Sequence, residues 1–79
     1  MIRENRTLNS IKLNDTAKVT ALIVDGELRR RFLDLGIING TEIRPLYASP
    51  LGDPTAYLIR GTVIAIREEE ARFIQVTNC

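Results

Sequence analysis

Two runs of like charge are the parts of this sequence best suited to chemistry. Residues 29–31 are consecutive arginines, and residues 68–70 are consecutive glutamates. Guanidinium groups bind carboxylates or phosphates through paired hydrogen bonds, and carboxylates bind cations. The arginine run is therefore a candidate docking surface for an acidic partner, and the glutamate run is the place to test for a metal site.

The glutamate run does not fit a metal site. Successive residues of a helical turn point about 100° apart, so the carboxylates of Glu68, Glu69 and Glu70 diverge instead of meeting at one ion. We expect them to form a solvated helix face. Asp53, within Gly52-Asp53-Pro54, is expected to form a turn through hydrogen bonds to nearby backbone. The sequence thus predicts no metal site and no cofactor.

Catalytic groups are also missing from the sequence. It contains no histidine and a single cysteine, Cys79. No GxSxG elbow surrounds a serine, and no GxxxxGK[ST] loop is present to hold a nucleotide phosphate. We therefore expect a protein with no catalytic residues that is not an enzyme.

Composition predicts a small soluble domain with no strong electrostatic partner. The chain has 79 residues and a formal net charge of +1, which would draw it neither to nucleic acid nor to an anionic membrane. Its N-terminal segment lacks the apolar run of a signal peptide or membrane span, and a lone cysteine cannot form an internal disulfide. We expect one domain, residues 1–79, located in the cytoplasm.

A short helix must position the arginine run. Leu28, Phe32 and Leu35 fall on one stripe at helical spacing, which predicts an amphipathic helix over residues 27–35. Asp25 is expected to cap its first turn, and Gly36 to end it in a left-handed conformation. The apolar stripe should face a β-barrel.

The remaining side chains of this helix have two interpretations. Acid-first spacing favours local pairs of Asp25 with Arg29 and of Glu27 with Arg31, which would leave a solubilised helix. The alternative is a surface for a partner. Leu33, off the apolar stripe, either packs beneath the N-terminal segment or is exposed for that partner. The candidate partner-binding residues here are Arg29, Arg30, Arg31 and Leu33.

Alternation of apolar and polar residues predicts the strands. They are expected at residues 17–24, 43–47, 55–60, 62–66 and 73–76, with one helical turn at residues 67–72. Pro45 indicates an edge or bulged position. This order predicts a mainly β fold, a small five-stranded SH3-like barrel with the helix between strands one and two and the helical turn before the last strand. An OB-type barrel is the alternative.

A second candidate surface lies at one end of the hairpin formed by residues 43–60. Its candidate partner-binding residues are Leu46, Tyr47, Leu51 and Tyr57, with Pro50 and Pro54 beside them. Apolar and aromatic surfaces of this kind hold proline-rich peptides on SH3-type barrels. The chain offers only two tyrosines and no tryptophan, so packing within the core or the loop is the favoured role.

The ordered combination of these segments resembles a known family. RRFLDLGIINGTEI is followed by PLGDP, a hairpin and AIREEEARFIQV. Over about residues 8–76 this order is similar to FeoA, the ferrous iron transport protein A family. The resemblance implies an SH3-like barrel with an accessory or regulatory role beside the bacterial ferrous iron transporter, whose membrane subunit carries a cytoplasmic GTPase domain. Transition-metal binding is implied only at the level of the family.

The hypothesis that follows from the resemblance is function by protein–protein binding. A regulatory protein would bind the GTPase-bearing subunit through residues 27–35 and the adjoining loops. The alternative is a barrel that acts in trans on a metal-dependent transcription regulator or on another protein, since no helix-turn-helix is present in the sequence. Exposed barrel edges and Leu33 also permit weak self-association.

Overall fold

The structure, a computed structural model, describes residues 6–78. Six strands, two α-helices and one 3-10 turn follow one another along the chain. They are β1 (Arg6–Thr7), the 3-10 turn (Leu8–Ser10), β2 (Ala17–Leu22), α1 (Gly26–Asp34), β3 (Glu42–Ala48), β4 (Thr55–Ile59), β5 (Thr62–Ile66), α2 (Glu68–Ala71) and β6 (Ile74–Asn78). Residues 1–5 and Cys79, with the expectations placed on them, lie outside the described residues. Neither helix within residues 6–78 is long and apolar enough to cross a membrane.

One antiparallel sheet forms the body of the molecule, with strand order β1-β6-β2-β3-β4-β5. The predicted mainly β class, the helix after the first long strand and the helical turn before the last strand are confirmed. The sequence predicted five strands, whereas the structure has six. The additional strand is β1, in which Arg6 and Thr7 pair with Val76 and Gln75 of β6. Two residues show no alternation, so a pattern search passes over such a strand.

The core is formed by buried side chains of the sheet together with Leu8, Ile11 and Phe32, the last of these on α1. Phe32 is fully buried, and Leu28 and Leu35 are partly buried against the core, which confirms the predicted apolar stripe. Burying a side chain as large as phenylalanine stabilises a fold by about 1.5–3 kcal/mol, so this stripe fixes the helix to the sheet. The buried core residues are Leu8, Ile11, Ala17, Val19, Phe32, Ile37, Ile43, Tyr57, Ile59, Ile66, Ala71, Ile74 and Val76.

Pro45 lies in β3, which is an inner strand between β2 and β4. The register of β3 against β4 shifts between Pro45 and Tyr47, so the predicted bulge is confirmed. The Pro45 carbonyl accepts a hydrogen bond from the Asn14 N–H at 2.6 Å. A proline is tolerated inside a sheet at such an irregularity because it has no N–H to contribute to the ladder.

The exit from α1 is tightly packed. Gly36 has φ +86°, the left-handed conformation predicted for it, and its N–H donates to the Leu33 carbonyl at 3.0 Å. A Cβ placed on Gly36 would lie only 2.5 Å from Cδ of Arg60. The backbone conformation favours glycine at this position, and any larger residue would also have to displace the Arg60 side chain that covers it.

Candidate functional site

The helix α1 begins at Gly26, directly after Asp25. Asp25 occupies the N-cap position with an extended backbone, but its side chain makes no capping hydrogen bond. The predicted capping role of the Asp25 carboxylate is therefore wrong. Gly26 enters the helix with φ +73°, a conformation that costs a glycine little. The helix is held in place by the burial of its apolar stripe.

Two of the three arginines are bound to their own chain. Arg29 Nη1 donates to the Leu22 carbonyl at the end of β2 at 3.1 Å. Arg31 Nη2 donates to Glu70 Oε2 at 2.6 Å, and its guanidinium lies 5.9 Å from the centre of the Phe32 ring. The predicted local ion pairs, Asp25 with Arg29 and Glu27 with Arg31, do not occur in the described structure. Both arginines instead reach across the fold to partners outside the helix.

Arg30 and Leu33 point away from these contacts. Arg30 is exposed and makes no hydrogen bond or ion pair with the residues that the structure describes. Leu33 is 42% exposed, so it is accessible to solvent and is not packed beneath the described part of the N-terminal segment. We call Arg30, Leu33 and the exposed Asp34 the outer face of α1. A shallow depression runs along this face beside Gly26.

Glu70 connects α2 to α1. Its Oε1 accepts a hydrogen bond from the Arg67 N–H at 3.2 Å, which caps α2, while its Oε2 binds Arg31. The prediction that the whole glutamate run is solvated is therefore wrong for Glu70, which is partly buried. Glu68 and Glu69 are exposed, as predicted. The usual sequence pattern for such a cap has Ser or Thr at the N-cap and Glu three residues later, and Arg67 occupies the N-cap here, so only half of that signal was present in the sequence.

Asp53 ties the β3–β4 loop to α2. Asp53 Oδ1 accepts a hydrogen bond from the Glu68 N–H at 2.8 Å, and Oδ2 lies 3.9 Å from Arg67 Nη1. The prediction of side-chain bonds to nearby backbone is therefore corrected, because Asp53 bonds backbone fifteen residues further along the chain. The carboxylate serves as an N-terminal cap supplied from a distance. No local pattern could have indicated this contact.

The second candidate surface divides into buried and exposed parts. Tyr57 is 3% exposed and belongs to the core, so it offers no ring to a partner and its predicted binding role is wrong. Burial raises the pKa of the Tyr57 phenol above its ordinary value of 10.0, a hydrogen bond with Thr55 lowers it, and the charges of Asp53 and Glu68 raise it further. Leu46 is partly buried in β3. Tyr47 and Leu51 are exposed.

We call Tyr47 and Leu51 the hairpin tip. Leu51 is 95% exposed, and hydrogen bonds connect the residues of its loop. Ser49 Oγ donates to the Asp53 carbonyl at 2.6 Å, and the Gly52 N–H donates to the Ser49 carbonyl at 2.8 Å. An exposed leucine on a hydrogen-bonded loop is a feature of contact surfaces, because the loop loses little conformational freedom on binding.

The acidic groups do not assemble into a metal centre. Within residues 6–78, no three His, Cys, Asp or Glu side chains come together in a cluster able to hold an ion.

The matches to known proteins agree with this architecture. A family model for the FeoA domain matches residues 6–78. The chain belongs to the FeoA family. FeoA proteins are small SH3-like accessory domains of ferrous iron transport. The resemblance inferred from the ordered motifs is thereby confirmed.

Solved FeoA structures confirm the SH3-like barrel. FeoA of Chlorobium tepidum is 34% identical, with a TM-score of 0.86 over 92% of this chain and 70% of that one. FeoA of Stenotrophomonas maltophilia, solved in complex with zinc and described as a procaryotic SH3 domain protein, is 28% identical. It superposes with a TM-score of 0.80 over 90% of this chain and 88% of that one.

A much longer relative joins this domain to a transporter. The Fe(2+) transport protein A/Fe(2+) transporter FeoB fusion protein of Porphyromonas gingivalis is 30% identical over 69 residues. The match includes 87% of this chain but only 8% of the fusion protein. In that organism a FeoA domain and FeoB are parts of one polypeptide.

Proposed function

We propose that this FeoA domain is a non-enzymatic accessory protein that binds the cytoplasmic, GTPase-bearing part of FeoB. The observation that carries the proposal is the Porphyromonas gingivalis fusion, in which a relative of this chain is covalently joined to FeoB. Fusion keeps two domains at a high effective concentration, which is useful when they bind each other. A separate FeoA chain would need a surface that performs the same recognition without the linker.

The outer face of α1 is the surface that best fits this role. Arg29 and Arg31 are held by Leu22 and Glu70, so the cation left available in the described part of the helix is Arg30. Leu33 places an exposed apolar side chain one helical turn further on. An arginine beside an apolar side chain can pair with a carboxylate while the leucine is covered, and arginine is enriched among the residues that dominate binding energy.

The mechanism we propose is stoichiometric binding that differs between the nucleotide states of FeoB. Binding shifts the equilibrium between two partner conformations only when the affinities for them differ. Because α1 is fixed to the barrel by Phe32 and to α2 by the pair of Arg31 with Glu70, the outer face is presented in one geometry. A preformed surface discriminates well between partner conformations because it cannot adapt to both.

We also propose that the domain works without a resident metal. The Stenotrophomonas maltophilia relative was solved with zinc, whereas the described residues here contain no cluster of three potential ligands. Calorimetric titration of the full chain with Zn²⁺, and with Fe²⁺ under anaerobic conditions, should show no stoichiometric binding at micromolar concentration. Tight binding of either ion with one site per chain would overturn this part of the proposal.

The binding proposal is tested by mapping the contact surface. Isotope-labelled protein titrated with the cytoplasmic domain of FeoB should show amide shifts concentrated at Arg30, Leu33 and Asp34, and larger with one of GDP and a GTP analogue than with the other. Shifts concentrated instead at Tyr47 and Leu51 would assign binding to the hairpin tip. A flat response in both nucleotide states would contradict direct binding.

A further inference from the structure

We propose that two copies of this chain associate through β5, which pairs antiparallel with β5 of the second copy to form a weak two-fold dimer. β5 is the last strand of the sheet, and its pairing within the described chain is with β4 on one side. This inference is independent of the binding of FeoB, because it uses a different element of the molecule.

The turn before β5 fixes which backbone groups face outward. Arg60 and Gly61 have φ +51° and +81°, the pair of positive values found in a two-residue type I′ hairpin. Such a turn is closed by a hydrogen-bonded pair, here Ile59 with Thr62. Because hydrogen-bonded and non-hydrogen-bonded positions alternate, every second residue of β5 directs its N–H and C=O away from β4.

These outward positions are Val63 and Ala65. No backbone hydrogen bond from elsewhere in residues 6–78 reaches either residue. The next outward position, Arg67, is already occupied, because its carbonyl accepts from the N–H groups of Glu70 and Ala71. The free edge of β5 therefore offers two donors and two acceptors, and the side chains beside them are exposed.

The features that normally protect a sheet edge are missing from β5. Edge strands are usually shielded by lysines, prolines, inward-pointing charges or bulges. The five residues of β5, Thr62–Ile66, are uncharged and include no proline, and their register with β4 is regular. Val63 is 52% exposed. Such a strand is suited to pairing with another strand.

The β5 strand of a second copy is a better pairing partner for β5 than the β1 strand at the opposite edge of the sheet. Antiparallel pairing of Val63 with Ala65 of the second copy uses every free donor and acceptor of both strands, which gives four hydrogen bonds with Ile64 on the two-fold axis. Pairing of β5 with β1 would use a strand of only two residues. The symmetric contact also closes on itself and leads to a dimer rather than a chain of molecules.

Charge favours the same arrangement. In this register the turn containing Arg60 lies beside the start of α2 in the other copy, where Glu68 and Glu69 are exposed. Arg67 lies between β5 and these two glutamates, and its Nη1 is 3.9 Å from Asp53 Oδ2. The aliphatic part of Arg60 lies over Gly36 of its own copy, but the residue is exposed, so its guanidinium can pair with these acidic side chains. The two-fold axis repeats this attraction at the other end of the strand.

The test is sedimentation of the full chain over a concentration series. The weight-average mass should rise from monomer toward dimer as concentration increases. Ala65→Pro removes the outward N–H from each copy, two of the four hydrogen bonds, and leaves the ladder with β4 intact; association should weaken about 30-fold. Ala65→Ser keeps the N–H and is the matched control, so its association should be unchanged.

A second variant keeps the test decisive if Ala65→Pro does not fold. Val63→Lys retains the backbone groups but places two positive charges near the axis, and it should also weaken the dimer. Amide shifts that depend on concentration should centre on Val63 and Ala65. A chain that stays monomeric to millimolar concentration, or a dimer that Ala65→Pro and Val63→Lys do not weaken, would overturn the proposal. Amide shifts at Val63 and Ala65 that appear only after FeoB is added would also overturn it.

Discussion

An ion pair between Arg31 of α1 and Glu70 of α2 joins the two helices, with 2.6 Å between Nη2 and Oε2. The same carboxylate caps α2 by accepting from the Arg67 N–H. The Glu70 side chain is 19% exposed and the Arg31 side chain 52% exposed, so the carboxylate is the less solvated partner. Loss of the glutamate should therefore cost more than loss of the arginine.

Alanine substitutions of Glu70 and Arg31 should lower the free energy of unfolding by different amounts. Glu70→Ala is expected to lower the free energy of unfolding by about 1–2 kcal/mol because it removes a cap and an ion pair. Arg31→Ala should cost only about 0.2–1 kcal/mol, since its charge is largely solvated. Urea unfolding of both single variants and the double variant measures the coupling, with Glu69→Ala as the exposed control. Strictly additive losses would contradict an interaction between the two side chains.

Gly36→Ala should destabilise the barrel by about 1–3 kcal/mol, because φ is +86° and Arg60 occupies the space of a Cβ. Gly40→Ala is the matched control: φ is +94°, but no atom lies within 4 Å of a Cβ there, so only the backbone strain applies. Arg60→Ala removes the side chain above Gly36 without adding a glycine at the positive φ of residue 60, so, against an Arg60→Ala background, Gly36→Ala should cost no more than Gly40→Ala does. Equal losses at Gly36 and Gly40, measured by thermal unfolding, would show that the contact with Arg60 has no effect.

Asp53→Ala should lower the free energy of unfolding by about 0.5–2 kcal/mol, the usual effect of losing a cap. The substitution should also change hydrogen exchange at one amide. Without the 2.8 Å hydrogen bond from the Glu68 N–H, the Glu68 amide should exchange with solvent faster, while the amides of β4 change little. Hydrogen exchange followed by NMR measures both. Unchanged protection at Glu68 would mean that Asp53 does not cap α2.

Tyr57 should make stability depend on alkaline pH. Burial raises the pKa of its phenol above the ordinary value of 10.0, so the unfolded chain loses this proton more readily than the folded one does. The stabilising contribution is complete below pH 10.0 and is lost as pH rises through the higher pKa of the folded state. Urea unfolding across this range should show a shallower decline for Tyr57→Phe than for the unchanged chain. Parallel declines would count against the raised pKa.

Much of the fold followed from sequence patterns because each pattern has a local cause. The alternation in β2 and the stripe of Leu28, Phe32 and Leu35 reflect burial on one face, and Gly36 reflects a conformation that other residues avoid. The short strand β1 was missed because pairing with β6 stabilises it, and no property of Arg6 and Thr7 alone indicates that pairing.

The binding surfaces were harder to predict because they depend on contacts between distant residues. Local spacing assigned Glu27 to Arg31, yet Glu70, distant in sequence, forms the ion pair. Tyr57 was assigned to the second candidate surface because it is close in sequence to the hairpin loop, but its side chain packs in the core and is 3% exposed. Arg30 and Leu33 remain from the predicted set as exposed residues on the outer face of α1, and Tyr47 and Leu51 remain at the hairpin tip.

The most direct test of the central proposal is the affinity of this domain for the cytoplasmic domain of FeoB, measured by titration calorimetry with GDP and with a GTP analogue. Arg30→Glu and Leu33→Ser should each weaken binding about tenfold or more. Arg44→Glu makes the same change of charge on an exposed β3 residue and should leave the affinity unchanged. Binding that is absent in both nucleotide states, or equally strong in the α1 variants and in Arg44→Glu, would contradict the account.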